Sequence, residues 1–208
     1  MPTSSPGLFV AFEGGEGAGK STQVRLLAEA LTTQGHDVVT TYEPGDTPVG
    51  ARLREILLGH DTGVLDPHTE ALLYAADRAE HVAAVVRPAM ARGAVCVTDR
   101  YIDSSIAYQG AGRTLDPVDI QRVSEWATQG LWPDLTVLLD IDPSIGLTRF
   151  SAPADRLEAE PLAFHQRVRE HFLTLSRRSP DRYLVVDATA AVNDVSASVR
   201  NAVLARLP

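Results

Sequence analysis

Short, nearly continuous apolar runs alternate along this chain with longer stretches in which apolar positions return every three or four residues. The short runs are 8–14 (LFVAFEG), 37–45 (DVVTTYEPG, closed by Pro-Gly), 94–100 (AVCVTDR), 134–142 (DLTVLLDID) and 182–188 (RYLVVDA). Runs of this kind read as strands buried on both faces. The longer stretches predict helices over 20–35, ending at Gly35, over 50–59, 67–93 and 159–180, and over the last residues. Five strands separated by helices predict an α/β fold, a five-stranded parallel sheet with helices on both faces. No repeat, low-complexity tract or linker divides the 208 residues, so one domain over 1–208 is expected, with a mobile insertion near 149–160.

Between the first strand and the first helix the chain reads GGEGAGKST, 14–22. Gly14, Gly19, Lys20 and Ser21 meet the pattern G-x-x-x-x-G-K-[S/T], with the strand before it and the helix after it that this pattern requires. Glycines let the backbone curl so that successive N–H groups face one anion, and the helix N-terminus adds its positive end. Gly14, Gly15, Glu16, Gly17, Ala18, Gly19, Lys20, Ser21 and Thr22 are therefore read as the cradle of a nucleoside triphosphate, taken as ATP. Ser21 is a candidate magnesium ligand. Lys20 is the only lysine beside eighteen arginines. An ammonium is a compact point charge that can thread over a tight loop to the outer phosphates, where a planar guanidinium is too wide.

Composition narrows the partner. A formal net charge of −8 argues against a polyanion track along DNA or RNA. Cys96 is the single cysteine and sits in an apolar run, as a buried structural thiol does. No run of eighteen apolar residues predicts a membrane span, and the first residues, MPTSSPG, lack the basic and apolar regions of a secretory signal. They read as a loose tail on a cytoplasmic protein.

The acceptor is the harder question. A guanine-reading Asn-Lys-x-Asp cannot occur in a chain whose one lysine is already used, and a motor or transporter ATPase needs more chain. A small kinase needs a second anion site instead. The third strand runs into TDRYIDSSIAYQ, where Asp99 can hold a magnesium-bound water and Arg100 can clamp a phosphate through paired hydrogen bonds.

These residues resemble the thymidylate kinase family. The stretch VTDRYIDSSIAYQ, 97–109, is similar to that family's signature. FEGGEGAGKST, EPGDTPVGARLREILL, LLYAADRAEHV and DRLEAEPLAFHQRVREHF agree in the family's order across nearly the whole chain. The resemblance implies transfer of the γ-phosphoryl group of ATP to dTMP, with Mg²⁺, in a homodimer. It implies that Tyr74 stacks on the thymine ring and that Arg78, one turn on, reads a base carbonyl. Arg100 would clamp the acceptor phosphate, Ser105 and Gln109 would lie by the base, and Tyr108 would crowd the sugar 2′ position. Glu16 would lie near the acceptor sugar and phosphate, Glu43 would orient the acceptor loop and Arg54 would reach the acceptor phosphate.

The stretch TRFSAPADRLE departs from the family's lid, R-x-x-x-R-G-x-x-D-R, by lacking the middle Arg-Gly. Arg149 and Arg156 are left as lid cations, and Arg149 is expected to supply charge to the transition state with Arg156 next. Tyr42 replaces an arginine before EPG, and Asp46 stands where a glycine is usual. Two other readings stay open on the residues alone: a kinase for another nucleoside monophosphate, and a nucleotide-binding regulatory protein that has lost efficient turnover.

Overall fold

The computed structural model describes residues 7–113, 115–149 and 155–207. Its sheet has five parallel strands, β1 (Leu8–Glu13), β2 (Val38–Tyr42), β3 (Val95–Asp99), β4 (Leu135–Asp140) and β5 (Tyr183–Asp187), in the order β2-β3-β1-β4-β5. The apolar runs are buried on both faces because helices cover both. Phe9, Ala11, Cys96 and Leu138 point into one core, and Leu8, Val10, Phe12, Val95, Val97, Leu135, Val137 and Leu139 into the other. Each large side chain so buried contributes about 1.5–3 kcal/mol of hydrophobic free energy. The Cys96 thiol is fully buried, and burial pushes it up to about 12.

The helices are α1 (Lys20–Thr33), α2 (Pro48–Leu58), α3 (Pro67–His81), α4 (Arg87–Ala91), α5 (Ile102–Ser105), α6 (Pro117–Thr128), α7 (Pro143–Gly146), α8 (Leu162–Arg178) and α9 (Val192–Leu204). A π-helical segment, Val82–Val86, joins α3 to α4, so the expected helix over 67–93 is one rod with an underwound middle; another, Ile106–Gly112, extends α5. α5, its π extension and α6 go beyond the sequence expectation. The second strand stops at Tyr42, short of the expected 45, because the chain turns at Glu43-Pro44.

Four helices start alike. Thr47, Asp66, Asp116 and Asp142 each accept a backbone N–H of the following first turn, and a proline follows each of them. The side chain satisfies an orphan donor, and proline fixes φ where no N–H is needed. In a parallel sheet whose order reverses beside β1, the carboxyl ends of β1 and β3 open a crevice. The glycine loop follows β1 there, and Asp99-Arg100 follows β3. The expected lid, 149–160, is described only at 149 and from 155 onward; 150–154, like the N-terminal tail 1–6, lies outside the described residues. Among the described residues no helix is long and apolar enough to cross a membrane.

Candidate active site

Two cavities meet at this crevice. The larger, about 1000 Å³, is lined by Glu16–Thr22 of the glycine loop together with Asp99, Arg100 and Arg149. The smaller, about 140 Å³, is lined by Glu43, Arg54, Tyr74, Arg78, Arg100, Ser105, Tyr108 and Gln109, with Asp155, Leu157 and Glu158 on its far wall. Glu16, Glu43, Arg54, Arg100 and Glu158 border both, so the two form one trough.

The glycine loop wraps tightly. Gly14 (φ 139°) and Gly17 (φ 69°) adopt backbone angles that side chains disfavour, and a Cβ on either would overlap the carbonyl of Leu139 or of Gly146. The loop therefore packs directly against the end of β4 and against α7. Lys20 Nζ curls over it and donates to the Gly14 and Gly15 carbonyls at 3.0 and 2.9 Å. Burial, then the nearby Arg100 cation, lowers the Lys20 pKa against the pull of Glu16, Asp99 and Glu13. α1 begins at Gly19 with no side-chain cap and no acidic residue in its first turn, which leaves its N–H groups for an anion.

Ser21 Oγ donates to Asp99 Oδ2 at 2.8 Å. Two hard oxygen donors thus converge beside the phosphate cradle, although among the described residues no group of three or more acidic, histidine or cysteine side chains could hold a metal alone. That fits magnesium, which takes one or two protein oxygens and completes its shell with phosphates and water.

Arg100 occupies the junction. Its backbone is strained, with φ 73° on a non-glycine residue, and its N–H donates to Phe12 O at 2.9 Å. Its guanidinium donates to Glu16 Oε1 at 2.6 Å, to Ser104 Oγ at 3.2 Å and to the Gly14 carbonyl and Tyr108 hydroxyl at 3.3 Å. Tyr108 in turn donates to Glu16 Oε1 at 2.7 Å. Burial raises the Glu16 carboxyl, but Arg100, Lys20 and the Tyr108 hydroxyl outweigh it and hold the group down at about 2. Arg100 shows the mirror image: burial opposes its charge, and Glu16 and its neighbours more than restore it.

Around the smaller cavity the polar side chains have protein partners. Arg78, 1% exposed, donates Nε to Glu43 at 2.8 Å, one terminal nitrogen to Ser105 and Ser124 at 3.1 and 3.4 Å, and the other to Tyr101 O at 3.0 Å. Glu43 also lies 2.7 Å from His81 Nδ1. Arg54 donates to Pro44 O at 2.7 Å, and Gln109 donates its amide N–H to Glu70 at 2.9 Å. Tyr74 is buried, and burial, then Glu70, raises its phenol well above the ordinary range. Arg149 donates to the Gly17 and Ala188 carbonyls at 3.1 and 3.2 Å, on the wall of the larger cavity. Arg156 lines neither cavity.

Some residues matter here that sequence reasoning passed over. Glu13, fully buried at the end of β1, accepts the N–H groups of Tyr101 and Ser104 at 2.9 and 3.1 Å and the Ser104 hydroxyl at 2.5 Å. Ser104 then meets Arg100, so Glu13 braces the Arg100 turn from below. Burial, then the nearby Asp103, pushes Glu13 up to about 8. A lone acid ending an apolar strand was the signal. On α3, Glu70, Asp77 and His81 join Tyr74 and Arg78 on one buried helix face. A charged stripe facing the core was the signal there.

Comparison with known proteins places the chain in a family. A family model described as thymidylate kinase matches residues 12–199. The chain belongs to the thymidylate kinase family. It is 55% identical to the thymidylate kinase of Clavibacter sepedonicus over 93% of each chain. It is 46% identical to that of Geotalea uraniireducens over 97% of this chain and 98% of the relative. The crystal structure of thymidylate kinase from Ehrlichia chaffeensis superposes with a TM-score of 0.79 at 30% identity, covering 96% of this chain and 99% of the other.

Proposed function

We infer that this chain is a nucleoside monophosphate kinase that moves the γ-phosphoryl group of ATP to dTMP, giving dTDP and ADP. The observation that carries the reading is the trough itself: a phosphate cradle on one side, a slot with a buried aromatic on the other, and Arg100 between. ATP phosphates suit the loop N–H groups, the α1 N-terminus and Lys20. Thymine suits the slot, with Tyr74 as the stacking face and Arg78, Ser105 and Gln109 at its polar edge; such stacking is worth about 1–3 kcal/mol. Arg100 and Arg54 are suited to hold the acceptor phosphate.

Phosphoryl transfer is mainly positioning and charge neutralisation. The acceptor is already a phosphate oxygen, so the protein needs no strong base. Lys20 in the cradle and Arg100 at the junction offset charge on the moving group. Glu16 keeps Arg100 charged and aimed, and Tyr108 fixes Glu16. Arg149, beside Gly17, is the lid cation best situated to add charge on the donor side. Ser21 and Asp99 would hold Mg²⁺, which when bound neutralises phosphate charge and fixes phosphate geometry.

We read the working form as a homodimer. Leu72 on α3 and Val118 and Trp126 on α6 are 60%, 52% and 83% exposed on helices that pack side by side. By contrast Val82, Val86 and Ala89, in the stretch AEHVAAVVRPAMA, are spent on the core. A 22 kDa particle by light scattering at micromolar concentration would remove the dimer. Coupled ADP release with ATP, magnesium and a panel of nucleoside monophosphates tests the reaction. Fast turnover with dTMP, and little with dCMP, AMP or GMP, is expected. ATP binding with no turnover on any acceptor would overturn the reading.

A further inference from the structure

The second lid arginine is bonded to the end of α2 and to α3. Arg156 donates Nε to the Leu57 carbonyl at 2.9 Å and a terminal nitrogen to Glu70 Oε2 at 2.5 Å. Glu70 stands one turn before Tyr74 on α3 and is 1% exposed. Its carboxylate also accepts Gln109 Nε2 at 2.9 Å and Arg113 Nε at 3.2 Å, and Arg113 pairs in turn with Glu160. Burial raises the Glu70 carboxyl, yet Gln109, Arg113 and Arg156 together keep it below the usual range. A buried carboxylate with this many charge-assisted donors is an anchor, since removing one partner strands the others in a dry site.

Each partner leads to the acceptor cavity. Gln109 lies on its wall. Arg156 is flanked by Asp155, Leu157 and Glu158, all of which line it. Leu57 precedes Leu58, which lines it too. One carboxylate therefore ties the described part of the lid, the end of α2 and the base-side glutamine to α3, the helix that carries Tyr74 and Arg78.

We propose that Glu70 and Arg156 are positioning residues for acceptor recognition: the pair moors the segment 155–158 as the far wall of the acceptor cavity and fixes the amide of Gln109. Neither touches the moving phosphoryl group. The inference rests on reading this cavity as the dTMP site. A wall held equally in ground and transition states contributes to acceptor binding and little to the chemical step.

Steady-state kinetics on the full-length enzyme decide it, with dTMP and MgATP varied separately for Arg156→Ala, Glu70→Gln and the double variant. Losing a charge-assisted bond of this kind predicts a rise in KM for dTMP of at least about tenfold, with kcat and KM for ATP within about threefold. Glu70→Gln shifts KM in the same direction, and the double variant is no worse than the worse single. A fall in kcat larger than the rise in KM for Arg156→Ala overturns the proposal, because the arginine then acts on the transferring group. No change in either parameter, or effects that multiply in the double variant, overturns it as well. If Glu70→Gln fails to show a cooperative melt, the KM-against-kcat split of Arg156→Ala decides alone. A wild-type enzyme that ignores dTMP sinks the reading of the cavity instead, whatever the variants do.

Discussion

The glycine loop is mainly a backbone site, and the slot beside it is a side-chain site. The cradle itself is one contiguous loop, Glu16–Thr22, inside a cavity of about 1000 Å³ whose other walls come from α1, β2, the Glu43 turn, Asp99-Arg100, Arg149 and the start of α9. The acceptor slot is about 140 Å³ and takes its walls from the glycine loop, the Glu43 turn, α2, α3, α5 with its π extension, and the lid. Three buried acidic side chains stand at or behind the slot, each holding one of its polar groups. Glu13 holds Ser104 and so Arg100, Glu43 holds Arg78, and Glu70 holds Gln109 and Arg156. A backbone site depends on glycines and one cation in a local segment. A side-chain site is only as exact as charges buried far from it in sequence.

The sharpest way to break that contrast is at Lys20. If the cradle needs a compact cation, Lys20→Arg should leave the fold intact and lower kcat by about 10²–10³-fold, the usual cost of losing one preorganised charge-stabilising donor. An active Lys20→Arg enzyme would show that the loop tolerates a planar head, and the case for the lone lysine would fail.

Glu13 tests the other half. Glu13→Ala strands two backbone N–H groups in a dry site and should destabilise the fold by about 2–5 kcal/mol. It should also raise KM for dTMP by freeing the Arg100 turn. The pH dependence has a definite sign. An unfolded glutamate loses its proton near 4.5, whereas buried Glu13 keeps it to about 8. Across that window the folded state binds more protons than the unfolded. The Glu13 contribution to stability is full below about pH 4.5 and is lost as pH rises toward about 8. Glu13→Gln cannot lose the proton, so its urea midpoint should fall less between about pH 5 and pH 8 than that of wild type. Parallel pH profiles would show that Glu13 is ionised in the folded state throughout.

The same contrast explains what could be read in advance. The strands were legible because β1, β3 and β4 are buried on both faces and so carry unbroken apolar runs. The cradle was legible because its function resides in spacing. α6 went unread although Asp116-Pro117 marks its start as plainly as Asp66-Pro67 marks α3; with Val118 and Trp126 exposed, its apolar residues do not form one clean face. The slot residues were named by resemblance, Glu43 among them; Glu13 and Glu70 were not. Glu70 and Glu13 show their purpose only once the partners, 39 and 91 residues away, are brought beside them. Arg156 is a similar case: as a lid cation it shows no partner in sequence, because Glu70 and Leu57, which it bonds, lie 86 and 99 residues away.

Arg149 lies on the cradle side alone and sharpens where the lid acts. It spans the Gly17 and Ala188 carbonyls on the donor wall, set there by the close packing of α7 on the glycine loop. Arg149→Ala should lower kcat by at least about tenfold with little change in dTMP affinity. Unchanged turnover would remove Arg149 from the cations the reaction uses.

The smallest expected effect separates a hydroxyl from a ring at one position. The Tyr108 hydroxyl donates to Glu16, and its ring packs edge-on against Phe164 and Phe172 with centroids 6.1 Å away. Tyr108→Phe removes one bond from a carboxylate that still holds Arg100 at 2.6 Å. KM for dTMP should rise by about three- to tenfold, the worth of one ordinary hydrogen bond. If the ring crowds the sugar 2′ position, Tyr108→Phe keeps the preference for dTMP over its ribonucleotide counterpart, and only Tyr108→Ala loses it. Comparing kcat/KM for the two nucleotides in both variants reads this directly. Loss of the preference in Tyr108→Phe would move sugar discrimination from the packed ring to the Glu16–Arg100 network, making selectivity on the acceptor side depend on the same charges that hold the phosphate.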